Sequence, residues 1–224
     1  MKWHLFTLGG HKVYLEPFFL LLIAVFVFMD LNSAAALPRQ LLWAPILFGG
    51  VLFHEFGHAV AIKAFGFGPS TIILQGFGGV TINETRQNSK PGESIVISLA
   101  GPGASLLLAL LSFGGLVAYK SFAGENALLT HFLYFNGVVN VFWAVFNMLP
   151  INPMDGGHVV LHALRKFMPM RKALYYSAIS SLVVLGLLAA TILALGHFGI
   201  ILIVLIVMFG MQNVQVLQQL KRAC

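Results

Sequence analysis

Apolar stretches long enough, or nearly long enough, to cross a bilayer recur from one end of the chain to the other, and few folds accommodate that pattern. A helix rising 1.5 Å per residue needs roughly 20 apolar residues to traverse about 30 Å of hydrocarbon. Such runs are centred on residues 13–29, 41–62, 94–119, 127–149, 173–195 and 198–217. The connections between them are short, so no stretch remains for a soluble domain. Residues 1–224 are therefore expected to form a single, all-α polytopic membrane domain of about six transmembrane helices. Composition agrees: 58% of residues are hydrophobic and 9% charged, against roughly 25% charged in an ordinary soluble domain. The first span is the least well defined. Its apolar core before Ala34-Ala35-Ala36 could be read as a signal peptide with a cleavage site, but the long preceding region with Glu16 and Pro17 argues for a retained helix.

The basic residues set the expected orientation, because cytoplasmic connections carry the excess of Lys and Arg. Lys2, Lys12, Lys63, Arg86, Lys90, Arg165, Lys166, Arg171, Lys172, Lys221 and Arg222 fall on one side, and Arg39 and Lys120 on the other. Eleven against two places both termini in the cytoplasm, with the cell membrane as the expected location. The net charge of +6 is spread over short connections without a basic stripe or recognition motif, so nucleic acid is not expected as a partner and membrane lipid is. Cys224 stands alone at the end of the chain, so neither an intrachain disulfide nor a cysteine metal site can form. Any metal must be held by His and carboxylate.

Within the second span lies His54-Glu55-Phe56-Gly57-His58. On a helix this spacing puts two imidazoles one turn apart on one face, both able to reach one zinc ion, and the Glu beside the first His is the motif's general base. In a soluble helix the pattern often arises by chance. In hydrocarbon an ionisable group costs about 3 kcal/mol or more, so three together need a reason. Glu16, Asp30, Glu84, Glu93 and Glu125 sit at span ends or in connections, while Glu55 and Asp155 are embedded in apolar sequence.

A catalytic zinc takes three protein ligands and keeps a position for water, which leaves His54 and His58 one partner short. Asp155 is the best candidate. Counted from Leu41, His54 lies about 20 Å along a core of about 30 Å, near the cytoplasmic face. Asp155 follows a span that also runs inward, so both are expected near the same face. The segment from Asn147 to Gly157, with Pro150, Pro153, Gly156 and Gly157, is not expected to continue as regular helix, and non-helical backbone at this depth is tolerated where it lines a cavity. Asn136, Asn140 and Asn147 fall within a narrow arc of one helix and are expected to face the bundle. Interhelical hydrogen bonding explains the first two; Asn147, nearest Asp155, is a candidate donor to an oxyanion or to substrate backbone. His158 and His162 form a second His-x-x-x-His pair without an internal Glu and are assigned to a solvated helix face. His4, His11, His131 and His197 lie near span ends and are read as interfacial.

Residues 69–83 carry β-branched residues around Gly76, Gly78 and Gly79, as in a β-hairpin, and form the only strand-like region expected. Ala100-Gly101-Pro102-Gly103-Ala104-Ser105 suits close helix contact, with Pro102 as a source of bending.

Three features in this order, His54-Glu55-Phe56-Gly57-His58, Ala100-Gly101-Pro102, and Asn147-x-x-Pro150 leading to Asp155-Gly156-Gly157, resemble the site-2 protease family of intramembrane zinc metalloproteases over nearly the whole chain. The resemblance implies one Zn2+ per chain held by His54, His58 and Asp155, Glu55 as general base and acid, and Asn147 as an aid to the tetrahedral intermediate. It also implies that the hairpin is a membrane-associated β-loop that meets substrate. Many relatives carry Asn where this chain has Ser105, to which no role is assigned, and no PDZ or CBS domain is expected here.

The expected function is hydrolysis of a peptide bond within or near a transmembrane segment of a membrane-protein substrate, in regulated intramembrane proteolysis. The rival from another class is a membrane metal-ion transporter, since intramembrane His and Asp also mark ion pathways. It is disfavoured because the ligands cluster at one depth without a relay. An inactive binding relative is disfavoured because every catalytic position is filled. No sequence feature sets an oligomeric state.

Overall fold

The computed structural model describes residues 2–29, 31–76, 78–85, 89–122, 126–196 and 199–222. Asp30, Arg86, Glu125, His197, Phe198 and Cys224 lie outside them. The chain is mainly helical and divides into two compact units, residues 1–88 with 100–145, and residues 89–99 with 146–224.

The first unit contains a four-stranded sheet in the order β1-β2-β3-β4. Strands β1 (Trp3–Leu8) and β2 (His11–Leu15) pair antiparallel, β2 pairs parallel with β3 (Thr71–Gln75), and β3 pairs antiparallel with β4 (Gly78–Ile82). The expected hairpin is present, but it is not the only strand pair. Residues 3–15 form a second one, turned at Gly9 and Gly10 with φ of 59° and 91°, a conformation that glycine adopts without steric cost. A Gly-Gly pair between two apolar runs is a hairpin signal. It was masked because only Glu16 and Pro17 separate the apolar residues of β2 from those that follow, so that together they approach the length of a span. The first expected span accordingly divides into the end of β2 and a shorter helix, α1 (Pro17–Met29).

A four-residue helix α2 (Leu37–Gln40) precedes α3 (Trp43–Ala64). Pro45 falls in the first turn of α3, where backbone N–H groups have no intrahelical acceptor to lose. The helix ends at Phe65 and Gly66, the latter at φ 84°. Val13, Leu15, Phe19, Val51, Ala59, Ile72 and Leu74 form one buried apolar cluster, so strands, α1 and α3 share a core.

Helix α4 (Pro91–Phe122) runs unbroken through Pro102, and α5 (Ala127–Asn147) follows it. In the second unit come α6 (Asp155–Leu164), α7 (Met170–Leu195) and α8 (Ile200–Arg222). Here Ile151, Met154 and Leu185 form the buried core. Among the described residues, five helical stretches are long and apolar enough to cross a membrane: residues 34–64, 91–122, 127–147, 170–195 and 202–222.

Candidate metal centre

The buried residues of α3 fall in two adjacent rows with a spacing of four: Ile46, Gly50, His54, His58 and Ile62 in one, and Leu47, Val51, Glu55 and Ala59 in the other. This spacing keeps each row on one face of the helix. The motif thus sits in the middle of the stripe that α3 turns inward, with His54, Glu55 and His58 only 2%, 5% and 7% exposed. The two imidazole centroids are 5.0 Å apart with planes at 81°, and their ligating nitrogens lie within 4.8 Å of each other.

Helix α4 supplies the floor. A Cβ at Gly101 would overlap Nε2 of both His58 and His54. The two Nε2 atoms therefore converge on a space that exists because residue 101 has no side chain. Gly57, between the two histidines, makes the approach possible, since a Cβ there would collide with the Ala100 carbonyl and Ala104. On the other side of the first imidazole, Nδ1 of His54 lies 3.0 Å from Oγ of Ser105.

Strand β4 covers the acid. The Thr81 hydroxyl lies 2.8 Å from Oε2 of Glu55 and 3.0 Å from its carbonyl oxygen. A Cβ at Gly79 would run into the Glu55 side chain, so the glycine-rich hairpin owes part of its composition to the carboxylate beneath it. Neither Thr81 nor Ser105 was singled out from sequence as a site residue. The Gly78-Gly79 pair marks a close backbone approach but does not say to what.

Asn136 and Asn140 are buried on α5 as expected. Asn136 donates from Nδ2 to Ser112 Oγ on α4 at 2.7 Å, and Asn140 donates to the Asn136 carbonyl at 2.8 Å. The amide of Asn140 also packs against Gly50, where a Cβ would come within 3.3 Å of it.

In the second unit, Asn147 is the last residue of α5, and the helix breaks over residues 148–154. The two prolines account for the break. The glycines do not: Gly156 and Gly157 lie inside the first turn of α6, because a Cβ at either would strike the backbone of residues 148–152. Asp155 opens α6 and is half-buried, its negative charge at the end where a helix dipole favours it. The turn is pinned within its own unit. Asn152 donates from its backbone N–H to Ser181 Oγ at 3.0 Å and from Nδ2 to Ser177 Oγ at 2.8 Å, and Asn213 donates to the Asn152 carbonyl at 2.9 Å. His158 and His162 are half-buried on α6 rather than fully solvated, and Arg165 stands 3.0 Å from Nδ1 of His162.

His11 departs from its interfacial reading. It is 1% exposed in β2, accepts the Ser70 backbone N–H at Nδ1 over 2.9 Å, and meets Phe56 edge to face. Burial, with Lys63 nearby as a second cause, lowers its pKa below the ordinary histidine value. His4 is exposed in β1, and His131 is half-buried in α5.

Comparison with known proteins places these features in a family. The model of peptidase family M50 matches residues 43–123 and 114–193. A zinc metalloprotease of Methanocaldococcus jannaschii is 28% identical over 165 residues, 72% of this chain and 45% of that protein. Stage IV sporulation protein FB of Bacillus subtilis is 27% identical over 162 residues, 72% of this chain and 51% of its own. The chain thus spans about half the length of these curated relatives. A solved structure, the site-2 protease from Methanocaldococcus jannaschii, shares the fold, with a TM-score of 0.66, 24% identity and coverage of 96% of this chain and 94% of that one.

Proposed function

Since the chain belongs to peptidase family M50 and is an integral, multi-pass membrane protein, we propose that it is a zinc-dependent protease. Its reaction is hydrolysis of a peptide bond within or near a transmembrane segment of another membrane protein, as a step in regulated intramembrane proteolysis. His54, His58 and Asp155 hold the zinc. Two imidazoles and a carboxylate are a donor set that catalytic zinc accepts. The cradle left by Gly101 beside the two Nε2 atoms fits the same assignment. Bound zinc supplies Lewis acidity, which polarises the scissile carbonyl and acidifies water.

The protein's own groups do the rest. Glu55 takes a proton from the attacking water and returns it to the departing amine. Thr81 holds one carboxylate oxygen of Glu55, which restrains the base in a single orientation. Asn147 donates its amide to the oxygen that becomes negative as the carbonyl is attacked. Substrate lies extended along β4, which ends the strand order, so that main-chain hydrogen bonds present its peptide bond. A substrate helix unwinds locally to do this, because its carbonyls are otherwise hydrogen-bonded. Both termini lie in the cytoplasm, by the asymmetry of Lys and Arg, and water enters from that side.

The observation that carries this reading is an acid buried between two buried histidines in an apolar helix. The test is Glu55→Gln in proteoliposomes with a membrane-protein substrate. The variant is expected to keep its zinc while cleavage falls by about 10²- to 10⁴-fold. Undiminished cleavage would overturn the mechanism, and metal flux without cleavage in the wild type would favour a transporter.

A further inference from the structure

Gly101 and Ser105 are one turn apart on α4, which places them on one face. At Gly101 that face leaves room for the Nε2 atoms of His54 and His58; at Ser105 it puts a hydroxyl against Nδ1 of His54. A neutral imidazole carries one N–H, and whichever nitrogen lacks it has the lone pair available to a metal. Ser105 is fully buried, so its hydroxyl has no bulk water to exchange for this contact. With Oγ accepting from Nδ1–H, the lone pair resides on Nε2, the nitrogen facing the Gly101 cradle. The opposite tautomer would direct a proton into that cradle.

We propose that Ser105 is a positioning residue that fixes the tautomer and ring orientation of His54 and so aims Nε2 at the metal. This rests on the zinc reading above. An imidazole ligand is held through its second nitrogen in this way at many metal sites, and loss of such a partner typically costs 10- to 100-fold in metal affinity. The Phe56 and Gly57 positions of the motif do not supply the restraint, because neither side chain has a hydrogen-bonding atom.

The inference is tested on the full chain in nanodiscs by chelator competition for zinc and by ¹⁵N spectra of labelled histidine in the zinc-free protein. Ser105→Ala is expected to bind zinc about 10- to 100-fold more weakly and to give His54 a population protonated at Nε2, whereas the wild type is protonated at Nδ1. Ser105→Cys nearly keeps the volume and offers a weak sulfur acceptor, so it is expected to show the same loss even if the alanine variant folds poorly. Wild-type zinc affinity together with an unchanged His54 tautomer in a folded variant would overturn the proposal. A wild type that binds no zinc but shows the Ser105-dependent tautomer would overturn the metal reading instead and leave the positioning role standing.

Discussion

Two sets of buried and half-buried polar side chains can be set side by side. In the first unit they are ionisable: His54 against Ser105, and Glu55 against Thr81. In the second they are neutral: Asn152, Ser177, Ser181 and Asn213, which join a turn to α7 and α8 through amide and hydroxyl bonds. Both withdraw polar atoms from water among apolar helices, but the costs differ. A neutral interhelical hydrogen bond in a membrane protein contributes about 0.6 kcal/mol, so the second set is explained as adhesion between helices. An ionisable group in hydrocarbon costs about 3 kcal/mol or more, and one hydroxyl contact does not offset that. The first set is therefore not explained by stability, and chemistry is what remains.

The contrast breaks most readily at β4. Gly79→Val would drive a branched side chain into Glu55 and is expected to lower cleavage in proteoliposomes about 10²-fold, the scale of a small misplacement of a reacting group. Zinc content by metal analysis should be unchanged. Cleavage at the wild-type rate would show that β4 does not constrain the acid.

A smaller effect is expected in the neutral set. Asn213→Ala removes the donor to the Asn152 carbonyl and should lower unfolding free energy by about 0.6 to 1.7 kcal/mol, measured by reversible unfolding in mixed micelles, with cleavage per folded molecule preserved. Collapse of cleavage without loss of stability would erase the distinction between the two sets.

The smallest effect concerns His11, an imidazole as buried as those of the motif but held by a backbone N–H. Its folded pKa is depressed, first by burial and then by Lys63, so at mildly acidic pH the unfolded chain binds a proton that the folded one does not. The stability it contributes is present above the ordinary value of 6.5 and falls as pH drops below it. Thermal unfolding at pH 7.5 and pH 5.5 should show a steeper acid loss in the wild type than in His11→Gln. Equal slopes would mean that His11 does not sense this burial.

How legible these regions were follows from the range of each signal. The motif on α3 was readable because a four-residue spacing on a helix is local, and the break before α6 because Pro150 and Pro153 act within one turn. The β1-β2 hairpin was obscured because the apolar residues on either side of Glu16 and Pro17 give a strand and a short helix the combined length of a span. Gly156 and Gly157 read as breakers, yet they belong inside α6, where the need is for close approach rather than for a turn. Thr81 and Ser105 were out of reach, because each meets its partner across 26 and 51 residues of chain, a relation that no periodicity encodes.

Gly57 also changes how the pentapeptide is understood. The zinc pattern leaves its two inner positions open to any residue, but here the second has a neighbour with no space to give: the Ala100 carbonyl and the Ala104 methyl. Positions 57, 100 and 104 are consequently one unit of variation. A larger residue at 57 is tolerable only if α4 retreats, and a retreating α4 takes Gly101 away from the imidazoles. Drift at these positions is therefore expected to be correlated, so that the motif carries a record of its companion helix as well as of its metal.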